Sequence, residues 1–191
     1  MYHFFAYLSR MKYINRWSLM RNTRTENIQE HSQQVAVLAH MLATIRNLRF
    51  GGNVDTGRVT ELAVFHETSE VITGDLPTPI KYYNPQIHSA YKDIESEANR
   101  KLLAMLPEDM ANAYENVLAS NEVECLRLVK AADKLSAYLK CVEEMDTGNR
   151  DFDKAAQSIR RELNAMKDVP EIEVFFAEYE PSYHLTLDEL N

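Results

Sequence analysis

Glycine is scarce in this 191-residue chain, at five, and proline is barely commoner, at six. An all-β chain needs many tight turns and the residues that make them, so that architecture is disfavoured. Neither GxGxxG nor GxxxxGK occurs, which sets aside the familiar loops that cradle phosphates with backbone amides. Positive charge is in deficit: 21 Lys and Arg stand against 29 Asp and Glu, a net of -8. A broad basic surface for a nucleic acid polymer is therefore not expected, although a local positive pocket for one small anion is compatible with it. No apolar run approaches the roughly 18 residues that a membrane span requires. The start, Met1-Tyr2-His3-Phe4-Phe5, soon reaches Ser9, Arg10 and Lys12 and lacks the zones of a signal peptide. The two cysteines, Cys125 and Cys141, both fall in an apolar helical pattern. They read as buried reduced thiols rather than a disulfide framework, and the cytoplasm is the expected compartment.

What is present is helical periodicity. The pattern predicts a short first helix over residues 2–12, with Phe4, Phe5 and Leu8 on its apolar side. A polar connection from Asn15 to Glu30 follows, carrying Arg16, Trp17, Arg21 and Arg24; long ordered connections are often functional. Further helices are predicted at about 30–48, 56–73, 86–106, 108–119, 122–146, 152–166 and 170–178, with an irregular tail from Pro181. The 122–146 helix is expected to turn Val123, Leu126, Val129, Ala137 and Cys141 to one side. Gly74 sits where a helix-ending glycine belongs, and Asp75-Leu76-Pro77-Thr78-Pro79 reads as a rigid loop. The expectation is one all-α domain, a helical bundle over residues 1–191.

Polar residues interrupt three of these apolar stripes. His31 opens the stripe Val35, Leu38, Leu42. His66 extends Val59, Leu62, Ala63, is followed directly by Glu67, and has Glu70 one turn further on. Asp133 lies mid-helix among Ala131, Ala132, Leu135 and Ala137. A lone histidine on such a face is usually structural, and a buried aspartate is costly unless it is paired, hydrogen-bonded or bound to metal. Taken together, two imidazoles and two carboxylates on facing helices are how bundles build metal sites. Mixed nitrogen and oxygen donors suit one divalent first-row ion: Mn, Co, Fe, Ni or Zn. A bundle with a few hydrogen-bonded polar residues in its core stays open as the plain alternative.

The order of a single His, a His-carboxylate pair and a distant helical Asp resembles the HD-domain phosphohydrolases. The blocks Asn15-Arg16-Trp17, Arg21-Asn22, Arg24-Thr25-Glu26-Asn27, Glu30-His31-Ser32, Ser69-Glu70, Thr73 to Pro79 with Lys81-Tyr82, Ala132-Asp133, Ala137 to Cys141, and Pro181-Ser182 with His184-Leu185 are similar to the bacterial HD-domain 5'-deoxynucleotidases. The resemblance implies an HD-type bundle that removes the 5'-phosphate of deoxyribonucleoside monophosphates and discriminates against ribonucleotides. It also implies a divalent ion and a homodimer. By the same resemblance His31, His66, Glu67 and Asp133 are the metal ligands, with His31, Glu67 and Asp133 also facing substrate. Arg16 orients the phosphate, Trp17 lies against the sugar, Glu70 stands near the attacking water, and Asp75, Leu76, Pro77 and Thr78 line the nucleotide. Asp75 is the candidate acid for the leaving 5'-oxygen. The HD pair normally ends in Asp; Glu67 adds a methylene, which moves its carboxylate by ~1.5 Å.

Without the resemblance, Trp17 reads as a core or dimer-interface aromatic ahead of a sugar contact, Asp75 as a loop cap or an acid, and Lys81 as a surface lysine or a second phosphate contact. Arg21 and Arg24 read as exposed or salt-bridged, and His3, His40, His88 and His184 as structural or exposed. Two other functions compete. One is an HD phosphohydrolase for triphosphates, cyclic nucleotides or alarmones, although the extra basic residues such substrates need form no clear cluster. The other is a metal-stabilised nucleotide-binding module with no catalysis, for which Glu67 is the supporting feature.

Overall fold

The computed structural model describes residues 1–81 and 83–191, so Tyr82, half of the Lys81-Tyr82 motif, lies outside the described residues. The helices in chain order are α1 (Phe4–Leu8), α2 (Ile28–Arg49), α3 (Thr56–Phe65), α4 (Glu70–Thr73), α5 (Thr78–Lys81), α6 (Pro85–Leu103), α7 (Glu108–Leu118), α8 (Val123–Asp146), α9 (Asp153–Ala165) and α10 (Glu171–Glu178). Among the described residues there is no strand, and β-type pairing is limited to an isolated antiparallel bridge between Asn15 and Asn27.

The centre of the bundle is α2 packed against α3 and α8, with α9 along the other side of α8. Asn27 starts α2 by accepting the backbone N–H groups of Gln29 and Glu30, donors that the first helical turn leaves without partners. From there Ile28, His31, Val35, Leu38, Leu42 and Ile45 fall on one buried face. They meet Val59, Leu62 and Ala63 of α3 and Leu128, Ala132, Leu135 and Leu139 of α8 in the main core.

Several sequence expectations change. The first helix is only five residues long; a 3-10 turn at Met11–Tyr13 replaces its second half, and Phe5 is 52% exposed while Phe4 is fully buried. Apolar residues surround much of α8, so periodicity does not fix which side faces inward; its neighbours do. The buried face runs through Cys125, Leu128, Ala132 and Leu135, leaving Val123 81% and Leu126 38% exposed. The segment expected to be rigid loop closes one helical turn, α5, in which the Ile80 and Lys81 N–H groups bond to the Pro77 carbonyl. Pro79 fits there because a first helical turn needs no N–H from it. The tail carries 3-10 turns at Glu180–His184 and Leu187–Leu190.

The expected 56–73 helix is broken between Phe65 and Glu70. The His66 ring Nδ1 takes up the Ala63 carbonyl at 2.6 Å, and Thr68 and Glu70 make tight bonds back to Phe65 and Glu67. In an unbroken helix adjacent side chains point about 100° apart. The break lets neighbouring His66 and Glu67 converge on one spot.

A buried ion pair anchors the 15–27 connection to α8. Lys140 and Glu144, 4% and 1% exposed, are bonded to each other. Glu144 also accepts the Thr23 backbone N–H, the Thr23 hydroxyl and the Asn149 amide, and Lys140 donates to the Arg24 carbonyl. Lys140 leaves Glu144 ionised, well below the usual carboxylate range even though burial pushes the other way. Glu144→Ala strands the Lys140 charge and should cost ~3–5 kcal/mol. A calorimetric melting temperature about 10 °C below wild type checks this.

Candidate metal centre and phosphate pocket

Three helical segments and one connection supply the site. His31 comes from the first turn of α2, His66 and Glu67 from the break after α3, and Asp133 from the middle of α8. One ligand atom from each of these four lies within 4.8 Å of the others. His31 Nε2 is 3.0 Å from Asp133 Oδ1 and 4.0 Å from Glu67 Oε1, and His66 Nε2 is 3.4 Å from Glu67 Oε1. Glu67 thus reaches the cluster with its longer side chain, because the backbone beneath it has left helical geometry. The His31 side chain is fully buried, while that of Asp133 is 36% exposed.

Both imidazole tautomers are set from behind. Ser136 gives its proton to Gln34 Oε1 at 2.6 Å, so its oxygen accepts from His31 Nδ1 at 3.0 Å. The Ala63 carbonyl can only accept, so His66 Nδ1 donates to it. His31 therefore turns an Nε2 lone pair toward the carboxylates and His66 is oriented with its Nε2 toward Glu67, the second-sphere arrangement that orients histidine ligands. Burial, with Arg16 nearby, lowers His31 to about 4, so the ring is neutral near pH 7. A bare imidazole lone pair at 3.0 Å from a carboxylate oxygen needs a cation between or beside them. His66 Nε2 gives the same indication, since it is buried and has no hydrogen-bond partner.

Glu70 opens α4, one turn beyond His66. Because the helix breaks, it is hydrogen-bonded to Glu67 and almost fully buried. Burial first, then the Glu67 charge, push its carboxyl strongly upward. The same contact, with His66, keeps Glu67 below its usual value despite burial.

Arg16 and Trp17 lie beside this cluster. The backbone bridge pairs Arg16 N–H with the Glu26 carbonyl at 2.9 Å and Ile28 N–H with the Ile14 carbonyl at 3.0 Å. Trp17 occupies the left-handed region, φ 58°, which a bulky residue adopts only when its surroundings impose it. Here its indole N–H donates to Glu26 at 3.0 Å, its ring packs on Phe152 at 5.3 Å, and its carbonyl accepts from Met20 and Asn22. Burial would lower Arg16, but Glu26, Asp133, Glu67 and Asp75 together raise it and keep it charged. Its Nη1 is buried and unpartnered.

Asp75 accepts the Trp17 backbone N–H, and its carboxyl is raised, chiefly by burial, although Arg16 pulls it down. Leu76 and Pro77 are half-buried and Thr78 is exposed. Lys81 is engaged by Glu95 at 2.9 Å and lies over the Tyr91 ring. Arg21 is paired bidentately with Asp151, Arg24 stands 3.7 Å from Glu30, and His184 contacts Asp146. Sequence reasoning gave no role to Glu26, Gln34 or Ser136. Gln34 and Ser136 sit one helical turn after His31 and Asp133, a spacing that could have flagged them. Glu26 owes its position to nonlocal backbone pairing.

The bundle is an HD-domain phosphohydrolase fold. It superposes on an HD-domain phosphohydrolase from Listeria innocua with a TM-score of 0.82, covering 95% of this chain and 88% of that one at 19% identity. A cyanophage S-2L HD phosphohydrolase, solved bound to dA and one catalytic Zn2+ ion, matches with a TM-score of 0.67 over 95% and 96% of the two chains at 21% identity. Within this class, the 5'-deoxynucleotidase YfbR-like family model matches residues 3–183. A 5'-deoxynucleotidase of Yersinia pestis (strain Pestoides F) is 51% identical over the whole chain and 98% of its own length. The chain belongs to the YfbR-like 5'-deoxynucleotidase family.

Proposed function

We propose that this protein hydrolyses the phosphomonoester of deoxyribonucleoside 5'-monophosphates, with His31, His66, Glu67 and Asp133 holding one divalent ion, and that it rejects ribonucleotides. The observation that carries this is the pair of imidazole Nε2 atoms and two carboxylates gathered at one point, beside a buried arginine with a free nitrogen. When bound, a divalent ion supplies Lewis acidity toward the phosphoryl group and offsets the Glu67 charge that holds the Glu70 proton. Arg16 neutralises and orients the phosphate dianion through its free Nη1. Glu70, protonated in the metal-free protein through burial and the Glu67 charge, would have to be ionised beside the bound ion, and it then takes the proton of the attacking water as the new P–O bond forms. Asp75, raised by burial and so able to carry a proton, gives it to O5' as the P–O5' bond breaks.

Trp17 and the Asp75–Thr78 segment form the sugar side, where a tight wall leaves an added 2'-hydroxyl clashing or unpaired. Purified protein supplemented with Mn, Co, Ni, Fe or Zn should release phosphate from dAMP and act poorly on AMP. Equal rates on both would remove the sugar selection, and pyrophosphate or triphosphate products from nucleoside triphosphates would point to the competing substrate class.

The same proposal places a homodimer in the cytoplasm. No described helix is long and apolar enough to cross a membrane. Phe5, Val37 and Val64, exposed at 52%, 58% and 43%, border an apolar groove between α1, α2 and α3 that also contains Leu8 and Phe65. Isolated apolar residues on a surface are ordinary, but a contiguous groove of this kind suits a second copy. Sedimentation velocity should give a dimer for the wild type and a monomer for Val37→Glu; an unchanged dimer would move the interface elsewhere.

A further inference from the structure

Glu26 meets three parts of the site at once. Its carboxylate accepts the Trp17 indole N–H at 3.0 Å, lies 3.6 Å from Arg16 Nε, and comes within 4.0 Å of His31 Nδ1 behind the metal cluster. Its own carbonyl accepts the Arg16 backbone N–H at 2.9 Å. Only 13% of the side chain is exposed. An arginine has five N–H donors and several rotatable bonds, so a free one has no preferred aim. Glu26 occupies the Nε side of this guanidinium, while Nη1 is left buried and unpartnered. A carboxylate on one edge and an open nitrogen on another is the arrangement that presents a guanidinium to a second anion.

We infer that Glu26 is a positioning residue: it holds Arg16 so that Nη1 meets a phosphate oxygen, and it holds the Trp17 indole in its left-handed backbone setting. The inference rests on the phosphohydrolase reading and adds to it the coupling of phosphate orientation and sugar wall through one carboxylate. It also accounts for the strained Trp17 backbone, since the Glu26 bond is among the contacts that hold that residue at φ 58°.

Glu26→Gln separates the two jobs. The amide oxygen still accepts the indole N–H, but the charge facing Arg16 is gone. Removing a negative charge beside the phosphate does not weaken its attraction, so KM for dAMP should stay within about twofold. The loss of aim should lower kcat about tenfold. In the Arg16→Ala background the same change should cost nothing further, because Glu26 would have nothing left to aim. Glu26→Asp, which keeps the charge on a shorter arm, should recover part of kcat.

Trp17 is the single tryptophan of the chain, so its fluorescence reports the other job. Titration of metal-free protein with deoxyadenosine, which carries no phosphate, should give the same affinity for wild type and Glu26→Gln within about twofold. Glu26→Ala, which leaves the indole N–H without its acceptor, should weaken it. An unchanged kcat in Glu26→Gln would overturn the inference while leaving the phosphohydrolase reading intact. Losses that multiply between Arg16→Ala and Glu26→Gln would overturn it as well. If wild-type protein releases no phosphate from dAMP, the phosphohydrolase reading falls first and this one falls with it.

Discussion

His66→Ala should abolish phosphate release, with kcat/KM for dAMP falling by ~10⁴ or more, on the order of 5–6 kcal/mol. The fold should survive, because His66 sits at a helix break and not in the packed interior: its side chain is 14% exposed and its Nε2 bonds nothing within the protein. The ring gives up only the Nδ1 bond to the Ala63 carbonyl. That carbonyl lies where tight turn bonds already replace helical ones, so a water can take it. The expected pattern is therefore a large loss of activity and of metal content with a melting temperature within a few degrees of wild type. The same substitution in a bundle with merely structural polar residues would leave bound metal unchanged, because there would be none to lose. Circular dichroism, metal analysis and a phosphate-release assay on one preparation distinguish the two.

Arg16→Ala should lower kcat/KM for dAMP by ~10³ while leaving metal content at wild-type stoichiometry. The reasoning is electrostatic. Glu26, two carboxylates of the cluster and Asp75 each raise the Arg16 guanidinium, and a dianionic phosphate bound as proposed would meet that same negative field. With Arg16 gone, the ion opposes the phosphate charge without the guanidinium beside it, and the orienting hydrogen bond is absent. Arg16→Lys should recover little, since an ammonium lacks the planar fork. Binding of deoxyadenosine, followed through Trp17, should change less than binding of dAMP. Equal losses for nucleoside and nucleotide would assign Arg16 to the sugar or base and not to the phosphate.

Which parts of this were legible from the chain follows from the range of the forces involved. The stripe from His31 to Leu42 and the Asn27 cap are local, and α2 lies close to where periodicity puts it. His31, His66 and Asp133 are visible because each is a polar interruption of an apolar stripe, and burial makes such interruptions costly unless something pairs them; Glu67 is visible as the carboxylate directly after His66. The break after α3 is not visible: Phe65-His66-Glu67-Thr68-Ser69 contains neither Gly nor Pro, and the interruption is made by a histidine ring capturing a carbonyl. It changes the chemistry, making Glu70 a hydrogen-bonded partner of Glu67. The inward face of α8 was likewise decided by its neighbours, and the placement of Glu26 by a backbone bridge spanning twelve positions, Asn15 to Asn27. Local pattern finds the donors, whereas nonlocal packing sets their tautomers, their aim and the residues behind them.

Glu67 is where the chain departs from the aspartate of the HD pair, and the structure brings its longer side chain into the same cluster. The central claim is that this cluster takes one ion. Its most direct test is titration of metal-free wild-type protein with Co2+ by calorimetry, beside Asp133→Ala. The account predicts one saturable site per chain in the wild type, with affinity lost in Asp133→Ala. No saturable site, or one that Asp133→Ala leaves unchanged, would contradict it.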